Sequence, residues 1–176
     1  MKLKIAVCVV LAVVLQTNLR LVWPPLVHID LPLVVVTYFA LKRDVVLSLF
    51  VGFVAGISTD FFSGGLLGAN GFSKTLIAYL IAALVTRVML DNPLARIPVL
   101  AGAAAFDAVV IVFLHRMLGQ PSLVPFAETA AYKLIGTTIV GTFLFYMFDI
   151  FFSDRARQRR QFAFRRRAAR RSLVRR

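Results

Sequence analysis

Residues 51–80 read VGFVAGISTDFFSGGLLGANGFSKTLIAYL. Within them, GANGFSKT at 68–75 nearly matches the phosphate-binding pattern G-x-x-x-x-G-K-[ST], with Ser73 where the second Gly belongs. A working phosphate loop follows a buried strand and opens a helix inside a parallel α/β domain. Here the flanks are long apolar runs with no strand-like alternation, so nucleotide binding is not expected. A turn between two helices explains the same residues. Gly64, Gly65, Gly68, Asn70 and Gly71 suit backbone with positive φ at little steric cost. Asn70 or Ser73 is expected to cap the following helix. Lys74 then falls one turn inside that helix and Asp60 near the end of the preceding one. Their pairing across the hairpin would neutralise both charges at membrane depth.

The rest of the chain places this hairpin in a membrane. Of 176 residues, 60% are hydrophobic and sixteen are Phe, more than one water-facing globule carries. A bilayer demands that every backbone polar group be satisfied internally. Continuous apolar runs then mean helices, since barrel strands would alternate. The predicted class is all-α, a polytopic membrane protein of six transmembrane helices. These fall at Ile5–Val22, Leu31–Leu41, Val45–Phe62, Phe72–Leu90, Ile97–Leu118 and Phe126–Phe152. The first follows Lys2 and Lys4 and has no A-x-A-like site after it, so it reads as an uncleaved span. The second has eleven residues against the roughly 20 of a full span and reads as short, tilted or partly unwound.

Charge gives the expected orientation. Lys42, Arg43, Arg87, Arg96 and the tail all fall on one side if the N- and C-termini are cytoplasmic, which follows the positive-inside rule. Residues 1–153 would form the bundle and 154–176 a cytoplasmic tail. That tail, DRARQRRQFAFRRRAARRSLVRR, has eleven Arg and one Asp, a net +10 of the total +13. Arg155, Arg157, Arg159, Arg160, Arg165, Arg166 and Arg167 are candidates for contact with anionic lipid headgroups. An Arg run just inside a final span is a topology anchor first, so nucleic acid is not an expected partner.

Other positions stand out chemically. Ser48, Gly52, Gly56 and Asp60 recur every four residues, and Gly52 and Gly56 form a small-residue seam that lets a helix approach closely. Thr75, Ala78, Ala82 and Thr86 make a similar stripe. The two stripes could face each other, the favoured reading, or Gly52 and Gly56 could receive a partner's helix. Gln16, Asp107 and Lys133 are polar residues within spans. Lys133 is expected to extend outward to the interface in preference to pairing with Asp107. The single Cys8 reads as a packing residue, and His28 and His115 as loop residues. No HExxH or clustered ligand set implies a metal, no cofactor is expected, and no nucleophile–base set implies an enzyme.

The 51–80 stretch resembles the MreD family of rod shape-determining proteins: a Gly-spaced third helix, an Asp, a Gly-rich turn ending in G-x-N, and an apolar helix with a Tyr. Gln16 and the run from Asp30 to Leu41, ending YFALKRD, also match. The likeness covers residues 5 to about 152. Two features depart from it: Asp30 precedes Leu31-Pro32 where the family tends to place Pro before the Asp, and the tail is longer and more basic. The resemblance implies a non-enzymatic scaffold of the inner (cytoplasmic) membrane supporting lateral peptidoglycan synthesis. It implies partnership with a bitopic MreC-type protein, and links to MreB filaments, a SEDS glycosyltransferase and a class B penicillin-binding transpeptidase. A second reading stays open. Gln16, Asn18, Arg20, Asp60, Asn70 and Lys74 could line the outward pocket of an S-component-like, vitamin-binding transporter subunit.

Overall fold

The computed structural model describes residues 2–22, 28–64, 66–87, 93–119 and 128–150. Among these the secondary structure is helical throughout. The α-helices are α1 (Lys2–Val22), α2 (Leu31–Ala40), α3 (Val45–Ser63), α4 (Ala69–Arg87) and α5 (Arg96–Met117), with a 3-10 turn at Pro93–Ala95 before α5. The last, α6, runs Glu128–Ile150. The stretches Val45–Ser63, Ala69–Arg87, Arg96–Met117 and Glu128–Ile150 are each long and apolar enough to cross a membrane. The chain divides into two compact units, Met1–Thr142 and Phe143–Arg176. In the second, only the helical residues 143–150 are described. Trp23, Pro24, Pro25, Gly65, the Arg20 side chain and the tail from Arg155 onward lie outside the described residues.

Local chemistry sets the helix ends. The Asp30 carboxylate accepts from the Leu33 backbone N–H at 3.0 Å and caps α2, while Pro32 fills an early position where no donor is required. Asp44 does the same for α3 through Leu47 N–H at 3.1 Å. Gly64, at φ 64°, ends α3 in the left-handed conformation that Gly adopts at low cost.

The second helix is short because it is interior. All ten of its residues are buried. It packs against α1, α3, α4 and α5. At ~1.5 Å per residue it is ~15 Å long, about half a hydrocarbon core of ~30 Å. A helix wrapped by other helices need not reach either surface. The α3–α4 hairpin is the most extensive helix pair, and the glycine seam explains it. A Cβ on Gly52 would lie 2.7 Å from the Lys74 carbonyl oxygen and 3.0 Å from Ala78 Cβ. A Cβ on Gly56 would lie 2.6 Å from Gly71 Cα. Absent side chains let the two backbones touch. This corrects the reading of Gly52 and Gly56 as a seat for a partner's helix, because α4 already fills that seam; Ser48, of the same reading, is buried and donates to the Asp44 carbonyl at 2.6 Å. Of the opposing stripe, Ala78 and Ala82 are buried, Thr75 is half-buried and Thr86 is exposed. His115 is also corrected: it belongs to the last turn of α5, with Nδ1 2.8 Å from the Ile111 carbonyl oxygen.

Candidate functional site

The polar residues of this apolar chain converge in its interior. Asp30 is the hub. Its Oδ2 accepts from Lys74 Nζ at 2.9 Å and lies 3.3 Å from Lys133 Nζ. Lys133 also forms an ion pair with Asp107 Oδ2. The other Asp107 oxygen accepts from the Ser73 hydroxyl at 2.5 Å. Lys74 donates a further bond to Asn70 Oδ1 at 2.9 Å. Asp30, Asp107, Lys74 and Lys133 thus form a neutral set of two acids and two bases. Lys74 and Asp107 are fully buried, and the Lys133 side chain is 17% exposed. Unpaired charges here would carry a heavy desolvation cost, and mutual pairing removes most of it.

Asp60 lies beside this set and is satisfied differently. Its Oδ1 accepts from the Asn70 backbone N–H at 3.1 Å and from Asn70 Nδ2 at 2.8 Å. Its Oδ2 accepts from the Gly68 and Gly71 N–H groups, each at 3.0 Å. These donors include the first free N–H groups of α4, which lack partners within the helix. A carboxylate placed there also meets the positive end of the helix dipole. Gly68, at φ 94°, turns its N–H toward the acid.

Two expectations for the GANGFSKT segment are therefore corrected. Asp60, from the preceding helix, supplies the carboxylate at the start of α4; Asn70 and Ser73 have other tasks. Lys74 pairs with Asp30, not Asp60, and Asn70 stands between the two acids as the link. The fully buried, ion-paired Lys74 is not presented to a phosphate, in keeping with the turn reading. The expected outward extension of Lys133 is corrected too, since two carboxylates hold it inside.

Gln16 joins α1 to the same region. Its amide donates to the Ile29 carbonyl at 2.5 Å and accepts from Leu31 N–H at 2.9 Å. From α6, Thr137 Oγ1 accepts from Asp30 N–H at 3.1 Å. Every helix from α1 to α6 thus contributes a residue to one connected polar interior. Lys133, Thr137 and Gly141 recur every four residues on α6. A Cβ on Gly141 would fall 2.9 Å from Val34 Cγ2. Gly141 and Thr137 escaped the sequence reading, although their four-residue spacing from Lys133 was available as a signal. Asp30 enters the sequence reading only through the family resemblance, as the acid before Leu31-Pro32.

Of the residues assigned to an outward pocket, Gln16, Asp60 and Lys74 are buried and Asn70 is bonded to both Asp60 and Lys74. They form internal ties between helices. Asn18 is exposed and donates to the Val14 carbonyl at 2.8 Å within its own helix. Among the described residues no group of three or more His, Cys, Asp or Glu is placed to hold a metal ion.

Fold and interior together define a helical bundle of membrane-protein composition, cross-linked by buried charge. The family described as rod shape-determining protein MreD matches residues 2–154. The chain belongs to the MreD family, the one that residues 51–80 resemble. No curated protein and no solved structure matches it.

Proposed function

We propose that this chain is a non-enzymatic scaffold of the cell-elongation machinery, a multi-pass protein of the inner membrane supporting lateral peptidoglycan synthesis and rod shape. The observation that carries this reading is the family match across residues 2–154. The polar interior supports it, because Asp30, Asp60, Lys74, Asp107 and Lys133 are engaged in joining helices to one another. A rigid bundle of this kind suits a protein whose task is to position others.

The partner expected first is a bitopic MreC-type protein, with MreB filaments, a SEDS glycosyltransferase and a class B penicillin-binding transpeptidase in the same assembly. A partner's transmembrane helix would dock on an outer face of the bundle, where van der Waals packing supplies most of the affinity in lipid. Both termini are assigned to the cytoplasm on the distribution of Lys and Arg, with the tail along anionic headgroups. Affinity purification in mild detergent, followed by identification of co-purifying membrane proteins, tests the scaffold. Recovery of an MreC-type protein is the expected result. Recovery of transporter ATPase subunits with a bound small molecule would overturn it in favour of the S-component reading.

A further inference from the structure

One side of the bundle carries a groove of about 550 Å³ between α1 and the start of α3. Ile5, Val9 and Val51 are buried and form its floor, while Val46, Phe50 and Val54 line its rim. Val46 is 79% exposed and Phe50 66% exposed, so the groove opens sideways, toward the hydrocarbon of a surrounding bilayer. From Asp44 to Val54 it follows α3 for about 15 Å, at ~1.5 Å per residue. A volume of about 550 Å³ over that length gives a mean cross-section of roughly 37 Å². A helix of ~10 Å diameter needs roughly 80 Å². The slot is therefore too narrow for a further helix and is sized for extended hydrocarbon chains.

The one charged residue lining the groove is an acid, Asp44, at the end where α3 begins. Its Oδ1 accepts from the Leu47 N–H at 3.1 Å. Its Oδ2 has no hydrogen-bond or ion-pair partner among the described residues. Asp44 is exposed, so an incoming donor reaches Oδ2 without displacing the helix cap made by Oδ1. Lys42 and Arg43 precede Asp44 in sequence but are not walls of the groove. Lys42 Nζ is held over the Tyr38 and Phe39 rings, 4.6 and 4.8 Å from their centroids. The head group that suits this end is a cation with N–H donors. A primary ammonium makes a charge-assisted hydrogen bond to a carboxylate, a quaternary ammonium has no N–H to donate, and a head carrying only negative charge is repelled.

We infer that the α1–α3 groove seats a phospholipid with a primary-amine head, of the phosphatidylethanolamine class, an acyl chain lying over Val9 and Val51 and its ammonium donating to Asp44. The site is separate from the Arg-rich tail, whose charge selects the opposite kind of head. It rests on the membrane-protein composition of the chain and not on the scaffold reading.

Acyl-chain quenching tests it in the full-length protein reconstituted into phosphatidylcholine vesicles. Tryptophan reporters are placed by Phe50→Trp, on the groove rim, and by Ile139→Trp, at an exposed position of α6, with Trp23→Phe removing the native fluorophore. Each is measured with brominated phosphatidylethanolamine, brominated phosphatidylcholine and brominated phosphatidylglycerol. The expected result is a several-fold preference for the ethanolamine lipid over both others at Phe50→Trp, and none at Ile139→Trp. Adding Asp44→Asn should abolish the preference, because Asn keeps the helix cap and removes the charge. Equal quenching by the three lipids at Phe50→Trp would overturn the site, as would a preference for phosphatidylglycerol there. An ethanolamine preference that survives Asp44→Asn, or that is the same at both reporters, would also overturn it, since Asp44 would then not be reading the head. Strong quenching at Ile139→Trp with none at Phe50→Trp by any lipid would overturn it as well, because a protein segment or second copy would then cover the groove.

Discussion

Lys74 donates to Asp30 at 2.9 Å across a sequence separation of 44 residues. Its helix, α4, thereby holds the start of the central α2. The bond ties the two most constrained parts of the bundle: a helix buried on all sides and a helix pressed backbone to backbone against α3. Because Asp30 also caps α2 and faces Lys133, one carboxylate fixes both the beginning of a helix and its meeting with two others, α4 and α6.

Asp30→Asn should therefore be more harmful than Lys74→Met. With Asn at position 30, Lys74 becomes a fully buried cation with only amide oxygens nearby. Breaking one partner from a buried pair costs roughly 3–5 kcal/mol. With Met at position 74, Asp30 keeps Lys133. Thermal unfolding in detergent should rank the midpoints parent, then Lys74→Met, then Asp30→Asn. The reverse order of the two variants would show that Lys133 does not compensate Asp30 once Lys74 is gone.

Lys133 and Asp107 should show energetic coupling. Lys133→Met leaves the buried Asp107 with only the Ser73 hydroxyl, whereas Asp107→Asn leaves Lys133 with Asp30. The first should cost more, on an insertion scale of ~3 kcal/mol for an uncompensated central charge. The double variant Asp107→Asn, Lys133→Met should be more stable than Lys133→Met alone, with a coupling of about 0.5–3 kcal/mol. Strictly additive losses in expression yield and melting temperature would contradict the pairing.

The hairpin of residues 51–80 was the most legible part of the chain. Glycines and an Asn between two apolar runs announce a helix–turn–helix, and the Gly52–Gly56 spacing announces close packing. Asn70 and Lys74 are four residues apart on one helix, so their contact follows from helical spacing. Asp30 with Lys74 and Asp107 with Lys133 have no such signal, because the topology, not the spacing, brings them together. Sequence proximity favoured Asp60 as the partner of Lys74, but the N–H groups at the start of α4 reach that carboxylate first. The Lys133 cation looked able to stretch outward, and two acids from other helices outweigh that escape. The shortness of α2 was readable; its central place was not, since a run of apolar residues looks alike to lipid and to neighbouring helices.

Thr37 offers a stabilising substitution. It lies on α2, wholly buried, and among the described residues its hydroxyl oxygen has no hydrogen-bond partner. A buried polar group left unsatisfied costs about 1–3 kcal/mol. Thr37→Val keeps the branched shape and removes the hydroxyl, so it should raise the melting temperature in detergent by a few degrees. A lower melting temperature would mean that the hydroxyl does engage a partner.

The glycines provide the sharpest contrast, because one class of substitution should act in opposite directions at different sites. Gly56→Ala places a methyl group 2.6 Å from Gly71 Cα and 2.7 Å from the Asn70 carbonyl carbon. Both are backbone atoms that cannot step aside, so α3 and α4 must separate, and with them the N–H groups that hold Asp60. Gly52→Ala meets the Lys74 carbonyl oxygen at 2.7 Å and should act the same way. At Gly71 the nearest atom is the Ile57 side-chain Cγ1 at 3.1 Å, which can shift, so Gly71→Ala should be milder. Gly102 in α5 has nothing among the described residues within 4 Å of an added Cβ. There the only consequence is the relief of glycine's backbone entropy, worth roughly 0.5–1 kcal/mol in a helix. Gly102→Ala should thus melt higher than the parent, while Gly56→Ala melts well below it. Equal effects at the two positions would show that α3 and α4 are not in backbone contact along the Gly52–Gly56 seam.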